Sequence, residues 1–259
     1  MMHFIRTRLL ENGVWTEWAV DKRQLSEFIR GLSPMHASLP MKRFGPAKDG
    51  GYVMPDDLEG VGGCISPGVS DECGFDREVA DLGIDVHLAD ATVSGPPLSH
   101  PRFHFCRKHL DTFDSPETIT IDNFCKTIAP GKDLILQMDI EGAEYRVLNS
   151  ASDELLSRLR IMVIEFHDLT HLFSKFGFQE ISAVFRRLLR THNVVHIHPN
   201  NVAHIVSSGL IVIPQVMEFT FLRKDRGEFE YRPLPFLSDL DARNVLDRPD
   251  VVLPDCWRR

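Results

Sequence analysis

Leu134-Ile-Leu-Gln-Met-Asp-Ile-Glu-Gly-Ala-Glu144 decides how this chain is read. Residues 134–140 form a near-continuous apolar run bounded by turn residues. A strand of that composition is buried on both faces, as in a parallel sheet covered by helices. Three carboxylates then follow in quick succession, Asp139, Glu141 and Glu144. Crowded carboxylates are costly at a strand end unless they are solvated, paired or used. Glu144 is accounted for as the opening of the next helix, where negative charge is favoured. Asp139, at the mouth of the sheet, is a candidate for function.

On both sides of this strand, strands and helices alternate. Upstream, the pattern predicts a strand over 62–66, a helix over 71–82 that ends at Gly83, strands over 85–89 and 103–106, and a helix over 118–128. Downstream it predicts helices over 144–148 and 153–159, a buried strand over 161–166, a helix over 181–189, and strands over 194–198 and 217–223. Nearer the start, Asp21 caps a helix over 21–32 whose stripe is Leu25, Phe28, Ile29 and Leu32. Trp15 and Trp18 before it suggest a short strand or a lid. Residues 33–57 are rich in Pro, Gly and Asp and read as loop, with a tight turn at Gly50-Gly51. Such alternation means an α/β fold with a mainly parallel sheet. No repeat or linker divides the chain. The expected organisation is an N-terminal helical extension over 1–40, a main domain over 41–224, and a tail over 225–259 packed on the same domain.

Of 259 residues, 43% are hydrophobic and 25% charged, which excludes a disordered or fibrous chain. The 29 Lys and Arg face 37 Asp and Glu, a net charge of −8, which argues against a nucleic-acid partner. Arg186, Arg187 and Arg190 sit on the polar side of a helix and read as a solvated face. No stretch is long and apolar enough for a membrane span, and the first residues lack a secretory pattern. Five scattered cysteines with no CxxC fit a reducing compartment and no cysteine zinc site. A cytoplasmic protein is therefore expected. The Phe-rich stretch from Phe166 to Phe185 could serve a homo-oligomer or the core, and the core is the simpler use.

Ligands of open parallel sheets bind beyond the carboxyl ends of the strands. After the first predicted strand comes Ser66-Pro-Gly-Val-Ser-Asp71, a turn whose free amides would suit an anionic group. After the second comes Asp90, placed either to accept both hydroxyls of a ribose or to cap the strand end. A full GxGxxG is absent and only Gly68 remains, so a cofactor with a ribose but no phosphate fits better than a dinucleotide.

The segment Gln137-Met-Asp-Ile-Glu-Gly-Ala-Glu-Tyr145 resembles the signature of the FkbM family of S-adenosylmethionine-dependent methyltransferases. Arg43-Phe-Gly45, Asp49-Gly-Gly-Tyr52, Ile65-Ser-Pro-Gly-Val69 with Phe75-Asp76, His196-Ile-His-Pro-Asn-Asn201, Pro214 and Glu218-Phe-Thr220 agree with it. The family's acidic-x-Gly-x-Gly cofactor turn reads Ser66-Pro-Gly-Val-Ser70 here. The resemblance implies a Rossmann-like class I methyltransferase fold, a mainly parallel seven-stranded sheet with an antiparallel last strand. It also implies methyl transfer to a hydroxyl oxygen, often of a sugar or polyketide. Ser66, Gly68, Asp71, Asp90 and Asp139 are then expected to hold S-adenosylmethionine.

If the last strand is antiparallel, its start meets the ends of its neighbours, and Glu218 approaches Asp139, Glu165, His167 and His198. Removing a proton from an alcohol needs a base near neutral pKa. His167 or His198, oriented by Asp139 or Glu165, would serve. The same ligands could instead hold Mg²⁺ or Mn²⁺ and acidify the alcohol. Asp49, Tyr52, Glu141, Asn200, Asn201 and Glu218 are expected on the acceptor side. His196 lies deeper in its strand and reads as half-buried and structural. His171, His192 and His204 read as structural or surface. The expected activity is O-methylation of a small hydroxylated acceptor, a sugar or glycan precursor. The rivals are a metal-dependent hydrolase built on Asp139, Glu165, His167 and His198, and a non-catalytic binding module.

Overall fold

A computed structural model describes residues 2–232 and 237–259. Seven strands form the main sheet: β1 (Gly63–Pro67), β2 (Val86–Ala89), β3 (Phe103–Cys106), β4 (Leu134–Met138), β5 (Leu159–Phe166), β6 (His192–Pro199) and β7 (Met217–Arg223). Their spatial order is β6-β7-β5-β4-β1-β2-β3. Neighbours from β5 to β3 pair in parallel, and β7 runs antiparallel to both β5 and β6. The expected Rossmann-like class I sheet is therefore present, with its antiparallel last strand inserted beside β5. The direction of winding reverses between β1 and β4, and a crevice opens there.

The helices are α1 (Met2–Glu11), α2 (Lys22–Gly31), α3 (Gly74–Asp81), α4 (Ile121–Cys125), α5 (Glu144–Ser150), α6 (Asp153–Arg158) and α7 (Lys175–Thr191). Period-two alternation sends successive side chains of each strand into opposite layers. Leu134, Leu136 and Met138 of β4 join Met162, Ile164 and Phe166 of β5 in the layer covered by α2 and α4 to α7. Ile135, Ile161 and Val163 face the other layer, beneath α3 and residues 41–55. Phe166, Phe185 and Phe219 meet with ring centroids 4.5–5.7 Å apart, so most of the Phe-rich stretch is core.

Some boundaries differ from the sequence reading. Residues 33–57 are not simply loop. Met41–Phe44 and Tyr52–Pro55 pair as an antiparallel hairpin, with Phe44 opposite Tyr52, and Phe44, Tyr52, Val53 and Met54 are buried. Its turn needs glycine, because a Cβ on Gly51 would collide with the Pro46 carbonyl oxygen. Helix α3 starts at Gly74, since residues 71–73 are used by the preceding turn. Helix α7 starts at Lys175, where Ser174 Oγ accepts the Gly177 amide at 2.9 Å. The 118–128 helix shrinks to α4 behind a short pairing of Thr118–Ile119 with His109–Leu110. Trp15 and Trp18 lie outside any strand and are exposed.

The C-terminal tail returns to the domain. Phe229–Glu230 pairs with His36–Ala37, and Trp257 is fully buried, its indole donating to the Val212 carbonyl at 2.8 Å. Among the described residues no helix is long and apolar enough to cross a membrane.

Candidate active site

The turn after β1 is pulled against the end of β4. Gly68 has φ +90°, and a Cβ there would collide with the Asp139 carbonyl oxygen, so only glycine allows the approach. The Asp139 amide donates to the Pro67 carbonyl at 3.2 Å, and the Gly68 amide to that of Ala89 at 3.0 Å. A crevice of about 500 Å³ results, with Gly68, Asp90, Leu110, Asp111, Asp139 and Glu141 among its walls. That volume lies within the range of small-molecule sites. Asp90 and Asp139 open onto this one space.

Asp90 is already engaged. Oδ2 accepts the amides of Val69 and Ser70 at 3.0 and 3.2 Å, and Oδ1 accepts the amide and hydroxyl of Thr92 at 2.7 and 2.6 Å. Burial opposes ionisation, but these bonds outweigh it and hold the carboxyl below its ordinary range. A carboxylate has about four acceptor sites, and Asp90 fills all four within the chain. It therefore clamps the turn, and the turn amides expected to be free for a ligand are spent on it.

Beyond Asp139 lies a cluster centred on His167, just after β5. Its Nδ1 is 3.2 Å from Glu144 Oε1, and its Nε2 is 3.4 Å from Glu141 Oε2, 3.8 Å from Asp139 Oδ1 and 4.0 Å from Glu165 Oε1. Glu144 Oε1 also accepts the amides of Ile140 and Gly142, and the Tyr145 hydroxyl donates to the His167 carbonyl at 2.6 Å. The ring is thus held through Nδ1, and its backbone through the carbonyl. Burial, reinforced by Glu141 and Glu144 against the charge of His167, pushes Asp139 up to about 7. Some 30% of the Asp139 side chain is exposed, but Oδ1 is shut off from solvent and has no hydrogen-bond partner. Burial and the charges of Asp139 and Glu218 drive Glu165 well above the carboxylate range. The His167 pKa is raised as well: burial would lower it, but Glu144, Asp139 and Glu141 together outweigh burial.

Residues 81–190, from the end of α3 through most of α7, match the family model described as the methyltransferase FkbM domain. The chain carries an FkbM methyltransferase domain. Over that span the chain is similar to S-adenosylmethionine-dependent methyltransferases of that family. An rRNA methylase from Streptococcus thermophilus aligns over 77% of this chain and 94% of its own, at 9% identity and a TM-score of 0.36. The 23S rRNA methyltransferase ErmE aligns over 85% of this chain and 72% of its own, also at 9% identity and a TM-score of 0.36. So loose a likeness transfers neither fold nor acceptor. A search of curated proteins finds no match.

The crevice, which reaches beyond the matched span to Gly68 and Ser70, suits that cofactor. Asp90, Asp111, Asp139 and Glu141 face Arg146 and His109 in its walls, an acidic balance that favours a sulfonium cation. Two expected cofactor residues stand elsewhere. Ser66 is buried, and its hydroxyl donates to Gln137 Oε1 at 2.7 Å. Asp71 is exposed and lines a separate cleft of about 530 Å³ between the hairpin turn and α3.

Of the expected acceptor-side residues, Glu218 and Asn200 adjoin Glu165, Asp49 joins Glu218 through Asn244, and Glu141 adjoins His167, while Asn201 stands apart. Tyr52 is buried beneath the cluster, its hydroxyl accepting from Gln137 Nε2 at 3.2 Å. Asn200 is buried and donates to Glu165 Oε1 at 2.9 Å, so it orients that carboxylate. Asn201 instead anchors the tail, donating to the Val245 and Arg248 carbonyls and accepting the Val245 amide. Glu218 and His198 lie side by side across β7 and β6. They are covered by tail residues that sequence patterns do not point to. Asn244 donates to Glu218 and to Asp49, both at 2.9 Å, and its carbonyl oxygen lies 3.2 Å from His198 Nε2. Asp241 sits 3.0 Å from His196 and 3.5 Å from His198. Burial lowers the His198 pKa and raises that of Glu218 to about 7. His198 is therefore apart from the mouth, and His167 is the candidate base that faces it. Glu144, read from sequence as a helix opener alone, is fully buried and holds His167. Its place in the signature segment was the available signal.

Proposed function

We propose that this FkbM methyltransferase transfers the methyl group of S-adenosylmethionine to a hydroxyl oxygen of a small acceptor, a sugar or glycan precursor. One observation carries the reading: Asp139 forms a wall of the crevice and also borders the His167–Glu165 cluster. Donor and acceptor can therefore meet at one carboxylate. When bound, the cofactor supplies an electrophilic methyl carbon on a sulfonium. The attacking oxygen forms the C–O bond as the C–S bond breaks, and the electron pair goes to sulfur. Alignment of the two supplies much of the rate. The Gly68 turn and Asp139 position the donor side, while Glu165 and His167 face the acceptor. The hydroxyl proton passes into the carboxylate–imidazole cluster. Net charge −8 supports a small acceptor rather than nucleic acid. A metal-dependent hydrolase on Asp139, Glu165, His167 and His198 is the rival reading, and it leaves the crevice at Gly68 and Asp90 without a use, with His198 covered by Asn244 and Asp241.

Isothermal titration with S-adenosylhomocysteine tests the proposal. Saturable binding at about one ligand per chain is expected. No heat at high-micromolar ligand would remove it.

A further inference from the structure

We propose that His167 Nε2, Asp139, Glu165 and Glu141 form a divalent-cation site, suited to Mn²⁺, at which the acceptor hydroxyl is held. The inference rests on the methyl-transfer reading and deepens it.

The argument starts from the tautomer. Glu144 Oε1 accepts two backbone amides and lies 3.2 Å from His167 Nδ1, so Nδ1 carries the ring proton and donates it to the carboxylate. In a neutral ring the lone pair is then on Nε2. Nε2 faces Glu141 Oε2, Asp139 Oδ1 and Glu165 Oε1 at 3.4, 3.8 and 4.0 Å. Nε2 is thus turned toward three carboxylate oxygens. A histidine fixed through Nδ1 by a carboxylate, with Nε2 turned into a group of oxygens, is the arrangement of metal-bound imidazoles.

A second observation points to an occupant. Glu165 is only 4% exposed, and its Oε2 has no hydrogen-bond partner. Asp139 Oδ1 also lacks one, although it is shut off from solvent. Among the described residues no Lys or Arg forms an ion pair with Asp139, Glu141, Glu144 or Glu165; each pairs with His167 alone. Buried carboxylates such as Glu165, with so little counter-charge, either keep a proton or take a cation. A cation between them satisfies the group at once.

The spacing agrees. Around a cation with bonds of about 2.1 Å, neighbouring ligands stand about 3 Å apart and opposed ones about 4.2 Å. The observed separations from Nε2 lie between those limits. One imidazole with carboxylate oxygens suits Mn²⁺ better than Mg²⁺, which takes oxygens almost alone. A bound cation lowers the pKa of a coordinated hydroxyl. Adjacent hydroxyls of a sugar would chelate it through two oxygens.

Mn²⁺ titration of the full chain, followed by the loss of the free-ion electron paramagnetic resonance signal, tests this. About one ion per chain is expected. His167→Gln and Glu165→Gln should each weaken binding at least about tenfold, while His171→Gln should not. Circular dichroism checks that the variants fold. Spin-echo modulation of the wild-type complex should show coupling to one histidine nitrogen, a readout that needs no variant. Absence of binding at millimolar Mn²⁺, absence of nitrogen coupling, or unchanged affinity in both folded variants overturns the site. Binding of S-adenosylhomocysteine without Mn²⁺ sinks the cation site alone. Binding of Mn²⁺ without S-adenosylhomocysteine sinks the methyl-transfer reading and leaves the site.

Discussion

Glu144 Oε1 and His167 Nδ1 lie 3.2 Å apart, and the same oxygen accepts the amides of Ile140 and Gly142. One buried carboxylate thus fixes the turn after β4 and the orientation of the imidazole. In Glu144→Gln, one of the two oxygens becomes a donor and the charge is lost. Mn²⁺ affinity should fall about 10- to 100-fold, the usual cost of losing such a support, with the far-ultraviolet circular dichroism retained. Unchanged affinity would show that the ring needs no help from Glu144.

Asp90 spends its acceptors on Val69, Ser70 and Thr92. Asp90→Asn replaces one oxygen by an NH₂ that must face donors. The ligand-free protein should lose about 1–3 kcal/mol, or about 2–4 °C in Tm for each kcal/mol. Differential scanning calorimetry without cofactor decides the matter. A carboxylate kept only for ribose would leave that Tm unmoved.

At the opposite end of the sheet, Asp133 joins two arginines. Arg160 Nε donates to it at 2.9 Å, and Arg223 bonds both of its oxygens at 2.7 and 2.9 Å. The Arg160 and Arg223 side chains are only 6% and 14% exposed. Asp133→Ala leaves both cations without this partner and should cost about 3 kcal/mol or more, read from urea denaturation. Affinity for S-adenosylhomocysteine should be unchanged in the folded fraction, because the site lies at the far end of the strands.

His192 has no exposed surface. Its Nε2 donates to the Leu159 carbonyl at 2.6 Å, and Nδ1 lies 2.9 Å from the Thr191 hydroxyl. Burial lowers its pKa from 6.5 to about 4. Below pH 6.5 the unfolded chain takes up the proton that the folded chain refuses. The stability contributed by the neutral ring is whole above about pH 6.5 and is lost as pH falls through about 4. At 1.36 kcal/mol per unit the contribution is on the order of 3 kcal/mol. His192→Gln should flatten the denaturation free energy between those pH values. An equally steep decline in the variant would assign the effect to other groups.

Much of the frame could be read from local chemistry. The apolar run into Asp139 announced a doubly covered strand, and the stripes of α2 and α7 announced helices, because burial imposes its period on the residues that are buried. The hairpin at 41–55 escaped that reading. Its Pro, Gly and Asp residues signal turns, while the burial of Phe44 and Met54 comes from a sheet face supplied by distant residues.

The sequence alone determined the alternation of strands and helices, the place of Gly68 in a turn, and the delivery of Asp90 and Asp139 to strand ends. Those follow from period, turn chemistry and chain direction, all of which are local. Only the tertiary structure decided which of the delivered groups meet. It brought Glu144 and Glu165 onto His167, filled Asp90 with internal donors, and laid Asn244 and Asp241 over His198. These are contacts between segments far apart in the chain or around a turn, set by packing, and no spacing within one segment encodes them.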